Sequence, residues 1–204
     1  MEASLGPYAT ACQLQQRPAP RAGGMFETIK ILPIENIDKS KIVASVRYWD
    51  KAGTQGAGCR TAGSLVHKMS DGTYIIADMI KGQWMASERE KRIKQCALLD
   101  GPGVVIWMEQ EPGSGGKESA ESSIRNLAGY KVYADRVTGS KEARAEPYAA
   151  QMGGGNIRVL NREWTREFMQ EHQMFPNGKY KDQVDSTAGA FNKLTATKKS
   201  AGTW

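Results

Sequence analysis

The order of elements in this 204-residue chain predicts an α/β fold, a mixed central β-sheet with antiparallel strands one to three, then parallel αβ units, and helices on both faces. Three observations predict it. Three β-rich runs follow one another between residues 41 and 82; beyond residue 87 helical periodicity alternates with short apolar runs; and Val104 to Met108 are five consecutive apolar residues, the pattern of a strand covered on both faces and central in its sheet.

Residues 1–42 read as an irregular lead-in, because RPAPRAGG places two prolines and two glycines within eight residues. That spacing suits a stiff linker, or a ligand for a peptide-binding module. KIVASVRYW is the first strand, and it stops at Asp50 before the turn-like KAGTQGAG. RTAGSLVHKM and TYIIADMIKG are strands two and three, joined by a hairpin through Ser70, Asp71 and Gly72. Ser87 and Glu90 form a capping box that opens a helix over 87–99. GVVIWMEQ is the fourth strand and ends in Glu109, while PGSGGK is too rich in glycine to be regular. ESAESSIRNLAG reads as a helix stopped by Gly129, and YKVYAD as a strand. A helix through KEARAEPYAAQ tolerates Pro147 only if it kinks or begins there. A short strand at NIRVL and a helix at EWTREFMQEH complete the alternation, giving the order βββαβαβαβαα with a last helix over 181–195. In that helix Val184, Ala188 and Phe191 share one face, with Asp182, Asp185, Gly189 and Lys193 opposite, so its apolar side docks and its acidic side faces a site. The chain thus divides into an extension over 1–42, one domain over 43–196 and a disordered tail over 197–204.

Composition excludes several classes of function. With 40% hydrophobic and 25% charged residues the chain has the balance of a folded globular protein. It lacks an apolar run near the ~20 residues a membrane span needs, and its N-terminus lacks the basic start and apolar stretch of a secretion signal, so a cytoplasmic protein without membrane contact is expected. Cys12, Cys59 and Cys96 are odd in number and show no CxxC spacing, which argues against a disulfide framework and a zinc knuckle. Only His67 and His172 are available as nitrogen ligands, so a metal here is held by oxygen, which points to Mg2+ or Mn2+. The net charge of +6 is compatible with a polyanionic partner.

The acids are the informative residues. Asp50 and Glu109 each end an apolar strand, and Asp182 and Asp185 stand three apart at the start of the last helix. Each has an ordinary explanation: a turn cap for Asp50, an ion pair for Glu109, a favourable helix dipole for the aspartates. Together they suggest a carboxylate cluster at one sheet edge, able to hold two divalent cations ~3.5–4 Å apart for phosphodiester chemistry. The chain has no Walker motif, so ATP hydrolysis is not expected of it. The glycines of EPGSGGK form either a tight turn or a loop whose amides approach a DNA phosphate with Lys117. Lys141 and Arg144, three apart at a helix start, are either solvated or phosphate contacts. The tryptophans, including Trp49 and Trp107 beside the acids, read as core and site walls.

A series of segments in fixed order resembles the C-terminal nuclease domain of tailed-phage terminase large subunits: LGPYATACQLQQRPAP, GGMF, RYWDKAGT, DGTYIIADMIKGQW, IWMEQEPGSGGKES, TGSKEARAEPYAAQMGGGNIRVL and FPNGKYKDQVDSTAGAFNKL. The resemblance spans roughly Leu5 to Leu194. It implies an RNase H-like fold and a metal-dependent endonuclease that cuts concatemeric viral DNA during packaging, in the cytoplasm of an infected bacterial host. It implies Asp50, Glu109 and Asp182 as catalytic acids, with Asp185 a supporting ligand and Glu111 a less well placed competitor of Glu109. Two divalent ions, Mg2+ or Mn2+, are the implied cofactors. Double-stranded DNA is the implied partner and, in a full-length protein, so are an ATPase motor domain, a portal protein and a small terminase subunit. One departure stands out: the family's last motif commonly begins His-Asp-Asp, whereas this chain reads Tyr180-Lys181-Asp182, with fewer ligands near the second metal. A Holliday-junction-resolvase-like nuclease and a non-catalytic DNA- or portal-binding module are the competing readings.

Overall fold

The computed structural model describes residues 24–51 and 60–196. RPAPRAG, the turn-like segment after Lys51, Cys12, Cys59 and the tail from 197 lie outside the described residues. The strands are β1 (Leu32–Ile34), β2 (Ile42–Asp50), β3 (Thr61–Met69), β4 (Tyr74–Gly82), β5 (Val105–Glu109), β6 (Lys131–Asp135) and β7 (Ile157–Leu160). The helices are α1 (Ala86–Asp100), α2 (Ser114–Asn126), α3 (Lys141–Gly153), α4 (Thr165–Met174) and α5 (Asp182–Thr195). They form one seven-stranded mixed sheet in the order β1-β7-β4-β3-β2-β5-β6.

β2, β3 and β4 are antiparallel neighbours, and β5, β6, β7 and β1 add in parallel. The β3–β4 hairpin turns where Asp71 accepts hydrogen bonds from the Thr73 amide and hydroxyl and Gly72 adopts φ +84°. β5 is interior but not central, since β6 alone separates it from the sheet edge. Its side chains alternate between two cores: Ile106 and Met108 pack with Trp49, Ile93 and Leu127, while Val105 and Trp107 lie against the larger cluster under α5.

Several local readings of the sequence are corrected. The lead-in is not wholly irregular: Leu32–Ile34 pairs with β7, and Phe26 and Ile31 are buried in the larger core, which a reading centred on the Pro/Gly cluster upstream obscures. The Gly-rich PGSGGK opens α2 at Ser114, and it does so because of a glycine: a Cβ on Gly116 would collide with the Glu111 carbonyl oxygen. The capping box at Ser87 does not form, because the cap of α1 is Met85, two residues earlier, with no side-chain cap bond. Pro147 lies inside α3 and forfeits one ladder bond, the start being fixed by Ser140, whose hydroxyl accepts from the Ala143 amide.

α5 is the element on which the site depends. It lies across β2 and β3 and is buried almost all round, including Gln183, Asp185, Ser186 and Thr187. The face carrying Asp185 and Gly189 packs close to β2 and, with Lys193, lines a cavity beside Tyr48 and Asp135. A Cβ on Gly189 would meet the Tyr48 ring at 2.5 Å, so only glycine lets this helix lie so close to β2. Gln183 and the Glu171 carboxylate of α4 secure its first turn, with Glu171 accepting from the Gln183 amide at 2.7 Å and from its side chain at 2.6 Å. Among the described residues no helix is long and apolar enough to cross a membrane.

Candidate active site

β2 and β5 run in parallel with Trp49 opposite Met108, so the strands deliver Asp50 and Glu109 side by side at their C-terminal ends. α5 brings Asp182 and Asp185 to the same edge in its first turn, where the helix dipole favours negative charge. α3 begins opposite and points Lys141 and Arg144, one turn apart, into the acids. The Lys141 ammonium hydrogen-bonds Asp185 and stands 3.7 Å from Asp50 Oδ2. Arg144 donates to Glu109 Oε2 at 3.1 Å and lies 3.7 Å from Asp185 Oδ1. Asp185, with its side chain 1% exposed, is thus the carboxylate that both cations share.

Burial and crowding set the protonation of this cluster. Burial, then the neighbouring Glu109, Asp185 and Asp182 charges, push the Asp50 carboxyl up to about 8 against the opposing pull of Lys141. Burial raises Asp185 to about 6, again opposed by Lys141, and moves Asp182 upward too. Burial alone would lower Lys141, but Asp50 and Asp185 outweigh it and push the ammonium up to about 12. Arg144 likewise rises because Glu109 and Asp185 outweigh its burial.

All the sequence-predicted acids reach this edge, with different partners. Asp185 is held in the centre by both cations, whereas Asp182 lies outside that pairing, beside the Arg60 amide and within electrostatic reach of Lys141. Glu109 ends β5 and is ion-paired; Glu111 is exposed beyond the strand. Lys141 and Arg144 are not solvated surface charges but partners of the acids. Lys117 is exposed and 3.8 Å from Glu121, one turn along α2. Trp49 is fully buried as a core wall, and Trp107 is half-buried under the Lys193 ammonium at 4.2 Å.

Two residues near the site were missed by sequence reasoning. Asp135 ends β6 directly opposite Glu109 and accepts from the Tyr48 hydroxyl at 2.8 Å and the Lys193 ammonium at 2.6 Å. YKVYAD carries the same signal as the first strand, a β-rich run closed by an acid. Lys51, next to Asp50, is buried and donates to the Ser119 carbonyl and hydroxyl and to Ser123, at 3.2, 2.9 and 3.1 Å. Burial lowers its ammonium to about 8. A lysine beside a glycine-rich turn gave no sign of that.

The donor chemistry of the edge suits a hard cation: every candidate ligand is a carboxylate oxygen. His67 pairs with Ser45 near the far end of β2, and His172 is packed among Phe26, Tyr148 and Phe168 in the core. Among the described residues no three acidic, cysteine or histidine side chains already form a metal cage. Lys141 and Arg144 stand between these acids as their cationic partners.

Residues 47–194 match the family model of the terminase RNaseH-like domain. Among solved structures the chain is similar to the large terminase nuclease from thermophilic phage G20c (TM-score 0.61, 16% identity, covering 84% of this chain and 98% of that one). It is also similar to the human cytomegalovirus terminase nuclease domain (0.59, 13%, covering 82% and 93%). A longer chain, the large terminase from a thermophilic bacteriophage, resembles it over 84% of this chain and 46% of that one, with a TM-score of 0.57 and 10% identity. At these identities the structural likeness is one of fold. No curated protein matches the chain.

Proposed function

The chain belongs to the terminase RNaseH-like domain family, and from that membership we propose that it is a metal-dependent DNA endonuclease that cuts concatemeric viral DNA during genome packaging. The single observation that carries this reading is the meeting of Asp50, Glu109 and Asp185 at adjacent element ends, bound together by Lys141 and Arg144. Such a cluster is costly in a folded protein unless cations offset its charge.

Asp50, Glu109 and Asp185, with Asp182 at the margin, are the residues that would hold two Mg2+ or Mn2+ ions. The cytomegalovirus domain has been soaked with manganese and the G20c nuclease crystallised with magnesium. Ions bound at such a cluster supply an activated water and stabilise the leaving oxygen of a phosphodiester. The chain's own part is to position that chemistry. The parallel β2–β5 pair fixes Asp50 against Glu109, and the packing of Gly189 on Tyr48 fixes α5, hence Asp185. Lys141 and Arg144, once the acids have another cation, are free to turn their charge on the DNA backbone, joined by the exposed Lys117. In the full-length protein this domain would work with an ATPase motor, a portal protein and a small terminase subunit, in the cytoplasm of an infected bacterium.

Plasmid nicking tests the reading, with wild type, Asp50→Asn and Glu109→Gln in Mg2+ and in Mn2+. Nicking by wild type and not by either variant is expected. Equal nicking by all three would sink the assignment, and no nicking by wild type in either metal would favour a binding module instead.

A further inference from the structure

Asp50 and Lys51 are consecutive, so their side chains leave the end of β2 toward opposite sides. Asp50 enters the acid cluster; Lys51 reaches the wall of a cavity of about 350 Å3 that Glu109 of that cluster also lines. Lys51, Arg89, Glu111, Gly115 and Ser119 form its walls with Glu109. Lys51 is 7% exposed, and the contacts that hold its ammonium are serine hydroxyls and one carbonyl. Among the described residues no carboxylate lies within ion-pair distance of it. Burying an ammonium on neutral acceptors alone costs free energy that an apolar side chain of the same length would not incur. The nearby acids offset its burial only from a distance: Glu90 and Glu111 act on it electrostatically, against Arg89, and Glu109 is paired with Arg144.

The other wall is the first turn of α2. Its cap, Gly113, makes no side-chain bond to the turn, and a Cβ on Gly115 would meet nothing within 4 Å. Amide donors, open space, Arg89 with the Glu90 carboxylate 3.5 Å away, and a buried ammonium held on neutral acceptors therefore meet at the same cavity, one residue from the acid cluster.

We propose that this cavity is a second phosphate subsite, in which Lys51, assisted by Arg89 and the α2 amides, holds a DNA backbone phosphate next to the one that is cut. The proposal rests on the nuclease reading for the word "cut" and on the cavity alone for the phosphate. Lys51 is in this account a positioning residue that sets where the strand lies across Asp50 and Glu109.

Binding of a short fluorescein-labelled duplex, followed by anisotropy in EDTA over a range of salt, tests it. Lys51→Met should lower the slope of log Kd against log salt by about 0.9, the value of one duplex phosphate contact. The same variant should melt no lower than wild type, because an apolar stem replaces a buried charge. Gly115→Asp supplies an independent arm: an acid in a helix first turn is favourable for folding, yet it should repel the phosphate and weaken binding about tenfold. Unchanged affinity and slope in both variants would overturn the subsite. A reduced slope in Lys51→Met, found together with a wild type that never nicks plasmid, would leave the phosphate contact standing and overturn the nuclease reading, so the two failures are distinct.

Discussion

Lys141 Nζ stands 3.7 Å from Asp50 Oδ2 and hydrogen-bonds the Asp185 carboxylate, so a single ammonium from the start of α3 ties β2 to α5. An internal cation in that position holds the acids together, and under the proposed function it would compete with a metal ion for them.

Removing it should separate those two roles. Lys141→Gln is expected to lower the stability of the metal-free protein by about 1–2 kcal/mol, less than a fully buried pair because the lysine side chain is 41% exposed. Mn2+ should then raise the melting temperature of the variant by more than it raises that of wild type. Thermal melts with and without Mn2+ measure both effects. A smaller Mn2+-induced shift in the variant would show that Lys141 supports the metal rather than competing with it.

The two aspartates of α5 should not be equivalent. Asp185 is shared by Lys141 and Arg144, whereas Asp182 contributes to the Asp50 environment only after Glu109 and Asp185. Asp185→Asn is therefore expected to abolish nicking as fully as Asp50→Asn, by at least about 100-fold, and Asp182→Asn to leave a measurable rate. The reverse order would restore Asp182 to the primary place that the family resemblance implies.

The strand ends were legible because two local signals agreed: β-rich runs and an acid that stops each of them. That is how Asp50 and Glu109 could be placed, and the helical spacing around Val184, Ala188 and Phe191 placed the docking face of α5. What stayed hidden depends on contacts between distant segments. Nothing near Gly116 in sequence announces that the Glu111 carbonyl requires a glycine there for α2 to start. Nothing in TGSKEAR says that Lys141 and Arg144 turn toward acids contributed by β2, β5 and α5. The sequence pattern turns the acidic face of α5 toward a site but does not show its close packing on the Tyr48 ring, because Tyr48 lies 141 residues away from Gly189 in the sequence. Ranking Asp182 above Asp185 rests on the family resemblance; the deeper burial of Asp185 depends on contacts with α3 that the motif does not show.

The protonation of the acids predicts a pH dependence for the metal-free fold. Asp50 and Asp185 are raised above the ordinary aspartate value, to about 8 and about 6, so between pH 4 and 8 the folded state binds more protons than the unfolded one. Stability from these groups is then fully present at low pH and declines as pH rises through 6 and 8, by at most about 1.4 kcal/mol per pH unit for each titrating proton. Below pH 6.5 the buried His172, lowered to about 4, opposes this trend, so melting temperatures in EDTA should fall between pH 6.5 and 8, and Asp50→Asn should flatten that decline. A wild-type profile that rises over this range would contradict the shifts. Saturating Mn2+ should abolish the decline, because a bound cation favours the ionised carboxylates.

Gly189 and Tyr48 give the last prediction, since their contact transmits core packing to the site. Alanine is the better helix former by about 1 kcal/mol, so on propensity alone Gly189→Ala would stabilise α5. The added methyl would meet the Tyr48 ring at 2.5–2.7 Å, and that ring is 1% exposed with its hydroxyl tied to Asp135. Either the helix lifts, carrying Asp185 away from Asp50 and Glu109, or the ring turns and leaves Asp135 to Lys193 alone. Overpacking of this kind costs about 1–3 kcal/mol, so Gly189→Ala should be net destabilising and should reduce nicking although the substituted residue touches no reacting atom. Tyr48→Val in the same chain opens the space the methyl needs. Denaturant melts of both single variants and the double variant should then show a combined loss smaller than the sum of the separate losses, the mark of direct contact. Strict additivity would mean that α5 is held at its height over β2 by something other than the fit of Gly189 to Tyr48.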